Sequence, residues 1–370
     1  MTQYINGPVN YIQLSGTINN IQKNITIFLD KHFSIDNQTR CESFNSIDIP
    51  QYLYKLIKDT KESLDFFLEI RDNQLKEKKS DKKDIYIIDV IEMFKTEFLI
   101  ENDKVKYSKS NPNVRFHYLD IRDHLGIFYI TQLINNDIQP LLNSLKNYTL
   151  NDVDKLKKTT VLIEYIKQSQ QYIKKIIKNK ASIQKSESQQ FDKKSQEYYL
   201  NKIIHKYNEE TLKRNLNIFL TTNMKKYINE INDILTNIID NIFSYKMNFK
   251  NNFYLDETIK SFNELNIIIL KLYTLFTDIY FLRRVLDKDY IKNVVSYCGN
   301  YHGLNYMFFL VKFCDFKIIK IYNSNNMTIN DIMDKLKNIN YVKQVYTMFT
   351  IENEKIKQCV DVPIDEIIIF

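Results

Sequence analysis

Asn293-Val294-Val295-Ser296-Tyr297-Cys298-Gly299-Asn300-Tyr301-His302-Gly303-Leu304-Asn305-Tyr306-Met307-Phe308-Phe309-Leu310 is the stretch that decides the fold. Its first five residues read as a buried strand and the residues from Leu304 read as a helix. Between them two glycines bracket one histidine. The chain holds only five glycines in 370 residues, against an ordinary usage of about 7%. Each one therefore marks a place where the backbone needs positive φ or an uncrowded approach. A histidine on a tight turn at the C-terminal end of a strand stands where open α/β sheets bind ligands. The structural alternative is a turn with a hydrogen-bonded histidine.

The same alternation extends upstream. Val9 to Leu14 and Asn24 to Asp30 read as a hairpin around Gly16, its second strand entering the core. A helix is predicted from about Asp48, with Pro50 at its start. Leu64 to Ile70 and Val114 to Ile121 read as further strands. The segment 72–83 reads as a charged loop, and Ile85 to Leu99 carries apolar residues at helical spacing. Strands separated by helical patterns predict an α/β fold with a mostly parallel central sheet. From 125 to 288 nearly everything has helical periodicity, with a Lys/Ser/Gln-rich loop at 180–196 and an aromatic-rich interruption at 245–254. The pattern then returns to α/β, with a strand at 316–321, a helix at 328–337 and a strand at 342–350. The expected organisation is an N-terminal half of the core (1–124), a large helical insertion (125–288) and a C-terminal part of the core (289–370).

Bulk composition limits the partners. The net charge of +7 comes from 52 basic and 45 acidic residues and is spread in short clusters. Nucleic-acid binding, which favours a concentrated basic stripe, is not the expectation. The most apolar long window, Leu265 to Leu282, contains Lys271 and Asp278 and is too short and too charged for a membrane span. The N-terminus shows no signal-peptide pattern. Cys41, Cys298, Cys314 and Cys359 fit neither a zinc ribbon nor a CxxC pair. A reducing, cytoplasmic compartment is the simple reading.

Four patches carry polar residues at the ends of predicted core strands: Asp30-Lys31-His32, Glu69 to Asp72, His117 to His124, and Gly299 to Gly303. In a parallel sheet these ends share one edge. His32, Glu69, Asp120 and His302 would then converge. Two imidazoles with carboxylates suit a divalent transition metal, which lowers the pKa of bound water and polarises a carbonyl. Taken singly, each carboxylate would be an exposed turn residue or a helix cap, and His117 a packed one.

The order of these motifs resembles the superfamily that joins TraB and Tiki proteins with erythromycin esterases and ChaN-like proteins. The late GxxH motif is Gly299-Asn300-Tyr301-His302, and the glutamate after the second core strand matches Glu69 in Phe66-Phe67-Leu68-Glu69. Arg283 or Arg284 matches the arginine of the helix before the late motif. Val114 to Asp120 is similar to the strand ending in Asp of the esterase branch. The early motif departs, with Leu29 in place of its glycine in Leu29-Asp30-Lys31-His32, where a leucine would crowd the turn. The resemblance implies a metal-dependent hydrolase of peptide or ester bonds, loaded with manganese, cobalt or zinc. His32, Glu69, His302 and Asp30 would be the metal or acid/base groups. Asp120 and Arg122 would support them, and Arg283 or Arg284 would stabilise an oxyanion. The alternative is a non-catalytic descendant of that fold acting as a binding or virion-associated protein. The composition also resembles that of giant-virus proteins. Substrate and oligomeric state stay open.

Overall fold

A computed structural model gives the architecture and describes residues 2–32, 38–70, 86–101, 104–120, 133–146, 150–178, 207, 209–249, 252–349 and 356–363. In chain order the elements are β1 (Thr2–Asn6), β2 (Asn10–Ile18), β3 (Ile21–Asp30), β4 (Gln38–Thr39), β5 (Ser46–Asp48), α1 (Ile49–Asp59) and β6 (Leu64–Leu68). Then come α2 (Tyr86–Glu97), β7 (Phe98–Glu101), β8 (Lys104–Ser108) and β9 (Val114–Tyr118). A short π-helical segment (Leu133–Ile138) leads into α3 (Gln139–Leu145), α4 (Asp152–Lys178), α5 (Glu210–Met247) and α6 (Phe253–Asp287). The chain continues with β10 (Asn293–Gly299), α7 (Asn300–Cys314), β11 (Lys317–Ile321), α8 (Ile329–Asn338), α9 (Lys343–Phe349), β12 (Ile356–Lys357) and β13 (Cys359–Pro363).

The main sheet has six strands in the order β11-β2-β3-β10-β6-β9. Its four members β3, β10, β6 and β9 run parallel, and the β2–β3 hairpin adds the antiparallel side. The strand that opens the analysis is thus central, flanked on both sides and buried along its whole length, as a parallel strand covered on both faces should be. One face packs Tyr11, Phe28, Phe66, Val295 and Tyr297 against α1 and α2. The other packs against α7. A three-stranded sheet β13-β1-β5 stands apart from the main one and joins the C-terminal segment to the N-terminal strand.

Two compact units are resolved: residues 1–121, 207–216 and 277–370 form the α/β unit, and 122–206 with 217–276 form the helical unit. The end of α6, from Thr277, thus belongs with the sheet. Within the helical unit, Lys158 bonds to Ser144 and Tyr245 to the Leu145 carbonyl, so α3 is fastened to α4 and α5 by polar as well as apolar contacts. α6 is long and apolar enough to cross a membrane by composition, but 72% of its most apolar window is buried inside the protein, as expected of a core helix.

Several sequence expectations are corrected. The strand expected at 342–350 is instead a helix, α9, over its described part: Val345, Tyr346 and Phe349 bury one face of it and Val342 is buried just before it, while residue 350 lies outside the described residues. The helix after β10 begins at Asn300, so His302 lies in its first turn and not on a tight turn. Gly299 has an ordinary extended φ of −59°. Its missing Cβ serves close approach instead. The four cysteines are not all free thiols, because Cys41 and Cys359 form a disulfide across 318 residues of sequence. The predicted loops at 72–83 and 180–196 lie outside the described residues.

Candidate acid–base site

Strand register brings three chain segments to one edge. Gly299 pairs with Asp30, and Tyr297 pairs with Leu68. Glu69, one residue past β6, therefore meets the end of β10, where its backbone N–H donates to the Tyr297 carbonyl. Its Oε2 accepts from the Gly299 N–H at 2.6 Å. A Cβ on residue 299 would stand 3.0 Å from His32 Nε2 and 3.1 Å from Glu69 Oε2, so only glycine leaves these two groups room beside the strand.

The two histidines face this glutamate from opposite sides. His302 Nε2 lies 3.1 Å from Glu69 Oε1, and His32 Nε2 lies 3.5 Å from Oε2. The other nitrogen of each ring is held by a second carboxylate. His302 Nδ1 is 2.6 Å from Asp278 of α6, and His32 Nδ1 is 3.0 Å from Asp30. His32 adopts a left-handed φ of +51°, an unusual state for a non-glycine residue that turns its ring back over Asp30 and Glu69. Asp278 also accepts from Asn305 Nδ2, whose Oδ1 accepts from the Tyr346 hydroxyl at 2.7 Å. The network Tyr346–Asn305–Asp278–His302–Glu69–His32–Asp30 is continuous and lies wholly in the α/β unit.

Burial and charge set the proton count. Burial disfavours the charged form of both imidazoles, yet the carboxylates beside them outweigh it. Each pKa rises from 6.5 to about 10, through Asp30 and Glu69 at His32 and through Glu69 and Asp278 at His302. Glu69 is buried, which opposes ionisation, but the two imidazolium neighbours hold its carboxyl well below the usual range. Burial raises Asp278. The side chains of His302 and Glu69 are 4% and 8% exposed, whereas that of His32 is 36% exposed. Solvent and any substrate therefore reach the array through His32.

The donor set fits a divalent transition metal in kind. Two imidazole Nε2 atoms share one carboxylate, and each Nδ1 is held by a further carboxylate, as metal-bound imidazoles usually are. Among the described residues no group of three such side chains stands ready to hold an ion. Asp120 sits at the same sheet edge, its backbone N–H bonded to the Ile70 carbonyl. Arg284 lies over the Tyr280 ring and feels Tyr290 and Tyr118, and Arg283 faces Tyr207. Both arginines thus stand among tyrosines. Arg122 lies outside the described residues. His117 bonds to the buried Asp65 beside Arg115 and stacks on Phe67, so it packs within the sheet. Asp278, Asn305 and Tyr346 are members that sequence reasoning missed.

Comparison with known proteins adds family. A model described as "Family of unknown function (DUF5847)" matches residues 3–364. The uncharacterized protein R161 of Acanthamoeba polyphaga mimivirus is 29% identical over 407 residues, covering 92% of this chain and 93% of the relative. R706 of the same virus is 27% identical, covering 86% of each chain, and R160 is 29% identical, covering 90% of each. The likeness to giant-virus proteins thus extends from composition to nearly the whole sequence. No solved structure matches the chain.

Proposed function

The chain belongs to that family of unknown function, and on this premise we propose that the array around Glu69 is the active site of a hydrolase acting on ester or peptide bonds. One observation carries the reading: two imidazole Nε2 atoms converge on one carboxylate, and each Nδ1 is pinned by a carboxylate of its own. An array that pins both nitrogens of two rings fixes where their protons lie. His32, the exposed member, would donate its Nε2 proton to the oxygen that gains charge when water attacks a carbonyl, and Glu69 would accept the proton that the attacking water gives up. His302 with Asp278 would hold Glu69 ionised for that role. The order of these residues along the chain remains similar to the TraB/Tiki–erythromycin esterase arrangement, which supports the same reaction class.

A divalent ion (manganese, cobalt or zinc) would be held by His32, Glu69 and His302, with Asp30 behind His32. When bound it would supply a more acidic water and a polarised carbonyl. Both imidazoles must give up a proton first, so loading would release protons and strengthen with pH. A second reading, a non-catalytic binding or virion-associated protein in a host cytoplasm, is favoured by the deep burial of His302 and Glu69.

The deciding experiment measures turnover of a panel of activated esters and peptides by the full chain, with and without each metal, beside His302→Ala and His32→Ala. The expected result is turnover that falls at least about a hundredfold in both variants while their circular dichroism is retained. A fully active His302→Ala variant, or no turnover under any condition, overturns the hydrolase reading; the second outcome favours the binding protein.

A further inference from the structure

The Asp30–His32 half of the array has a partner from the far end of the chain. Gln358 lies between β12 and β13 and is 1% exposed. Its Nε2 donates to Asp30 Oδ1 at 2.7 Å and to the Gly7 carbonyl at 2.5 Å. Asp30 Oδ2 is the atom that meets His32 Nδ1. The glutamine and the histidine therefore take opposite oxygens of one carboxylate, and together they fix its plane.

The backbone of the glutamine is held on both sides, while its side-chain Oε1 is buried without a hydrogen-bond partner among the described residues. Its backbone N–H donates to the Thr39 carbonyl at 3.1 Å, and its carbonyl accepts from the Gly7 N–H at 3.0 Å. The next residue, Cys359, is joined to Cys41, and the Cys41 N–H donates to Asn6 Oδ1 at 2.8 Å. Gly7 has a φ of +124° and a Cβ there would strike Ile49, so the backbone that receives Gln358 is itself sterically specified. The C-terminal segment is thus seated against the N-terminal strand at the place where Asp30 ends β3.

We propose that Gln358 is a positioning residue for the site: it fixes the Asp30 carboxylate, which in turn aims the His32 ring at Glu69. The proposal deepens the acid–base reading and rests on it for the catalytic consequence, while its geometric content stands alone. His302 has the corresponding support from Asn305 at Asp278, so the two halves are built alike, one closed by α7 and the other by the C-terminal strand.

The test replaces Gln358 by Met, close in volume but without a donor, and by Ala as a second variant should Met fail to fold. The first readout is the downfield imidazole Nδ1–H proton resonances of the intact protein. The wild type should show two, assigned with His32→Ala and His302→Ala. Gln358→Met should lose or broaden that of His32 and leave that of His302 unchanged. The second readout is turnover, expected to fall about tenfold in kcat with KM nearly constant, in the range seen for groups that orient a working histidine. An unchanged His32 resonance in folded Gln358→Met or Gln358→Ala overturns the proposal. So does equal loss at both histidines, which would mean general loosening. If the wild type turns over nothing, the hydrolase reading fails while the resonances still decide the positioning role.

Discussion

Leu29 stands where a GxxH motif has glycine, yet nothing is crowded. Its side chain is fully buried and points to α7, where a Cβ on Gly303 would lie 2.9 Å from Leu29 Cγ and 3.1 Å from Ile27 Cγ2. The glycine that the early motif lacks is thus supplied opposite, in the helix that carries His302. The pair should behave as one unit. Gly303→Ala alone should destabilise by about 1–3 kcal/mol through overpacking, and Leu29→Ala alone by about 2–5 kcal/mol through a cavity. The double variant should cost less than their sum by about 1 kcal/mol, because each change relieves the other. Chemical denaturation of the four proteins measures this, and strictly additive costs would show that the two residues do not share the space.

At the level of elements, the paired histidines bind protons that the unfolded chain would release. Their pKa values are about 10 in the fold against 6.5 outside it. Between those values the folded state holds more protons, so stability falls as pH rises. The contribution is whole below about pH 6.5 and is lost toward pH 10. Lys23, whose burial lowers its pKa to about 8, acts in the opposite sense above that pH. The comparison with a variant therefore carries the information: the melting temperature should drop more between pH 6.5 and 10 in the wild type than in His302→Gln. Equal drops would mean that His302 titrates alike in both states. The strands that position these groups were legible from their β-branched runs, and His302, Glu69, His32 and Asp30 from their places at the strand ends. Asp278 was visible only as a charge interrupting an apolar helical window. Its partner sits 24 residues later, and helical periodicity reports a face without reporting what meets it. The segment of α9 reads as a strand because five apolar residues in the nine from 342 to 350 suit a short strand as well as a helix, and only packing chooses between them. Gln358 carries no local signal, since its role depends on a contact 328 residues away.

The α/β unit is closed by the bond between Cys41 and Cys359. Neither spacing nor context in the sequence indicates this pair, since a separation of 318 residues looks the same as no relation at all. The bond ties the short β4–β12 pairing and the β13-β1-β5 sheet into one patch. In the chain-entropy account a closed loop of this length restricts the unfolded state by about 5–6 kcal/mol. Cys298 is buried and Cys314 half-buried, and burial pushes both thiols up, which keeps them protonated and slow to exchange with the disulfide. Titration of the denatured but unreduced protein should therefore find two thiols, and four after treatment with a dithiol. The reduced protein, or Cys359→Ser, should melt roughly 10 °C lower. Because Gln358 adjoins Cys359, the loss should be felt first where the C-terminal strand meets Asp30, seen as faster amide exchange at Gly7 and Gln358 than in the rest of the main sheet. A reduced protein that melts at the same temperature, with those amides equally protected, would mean that strand pairing alone holds the two ends of the chain together.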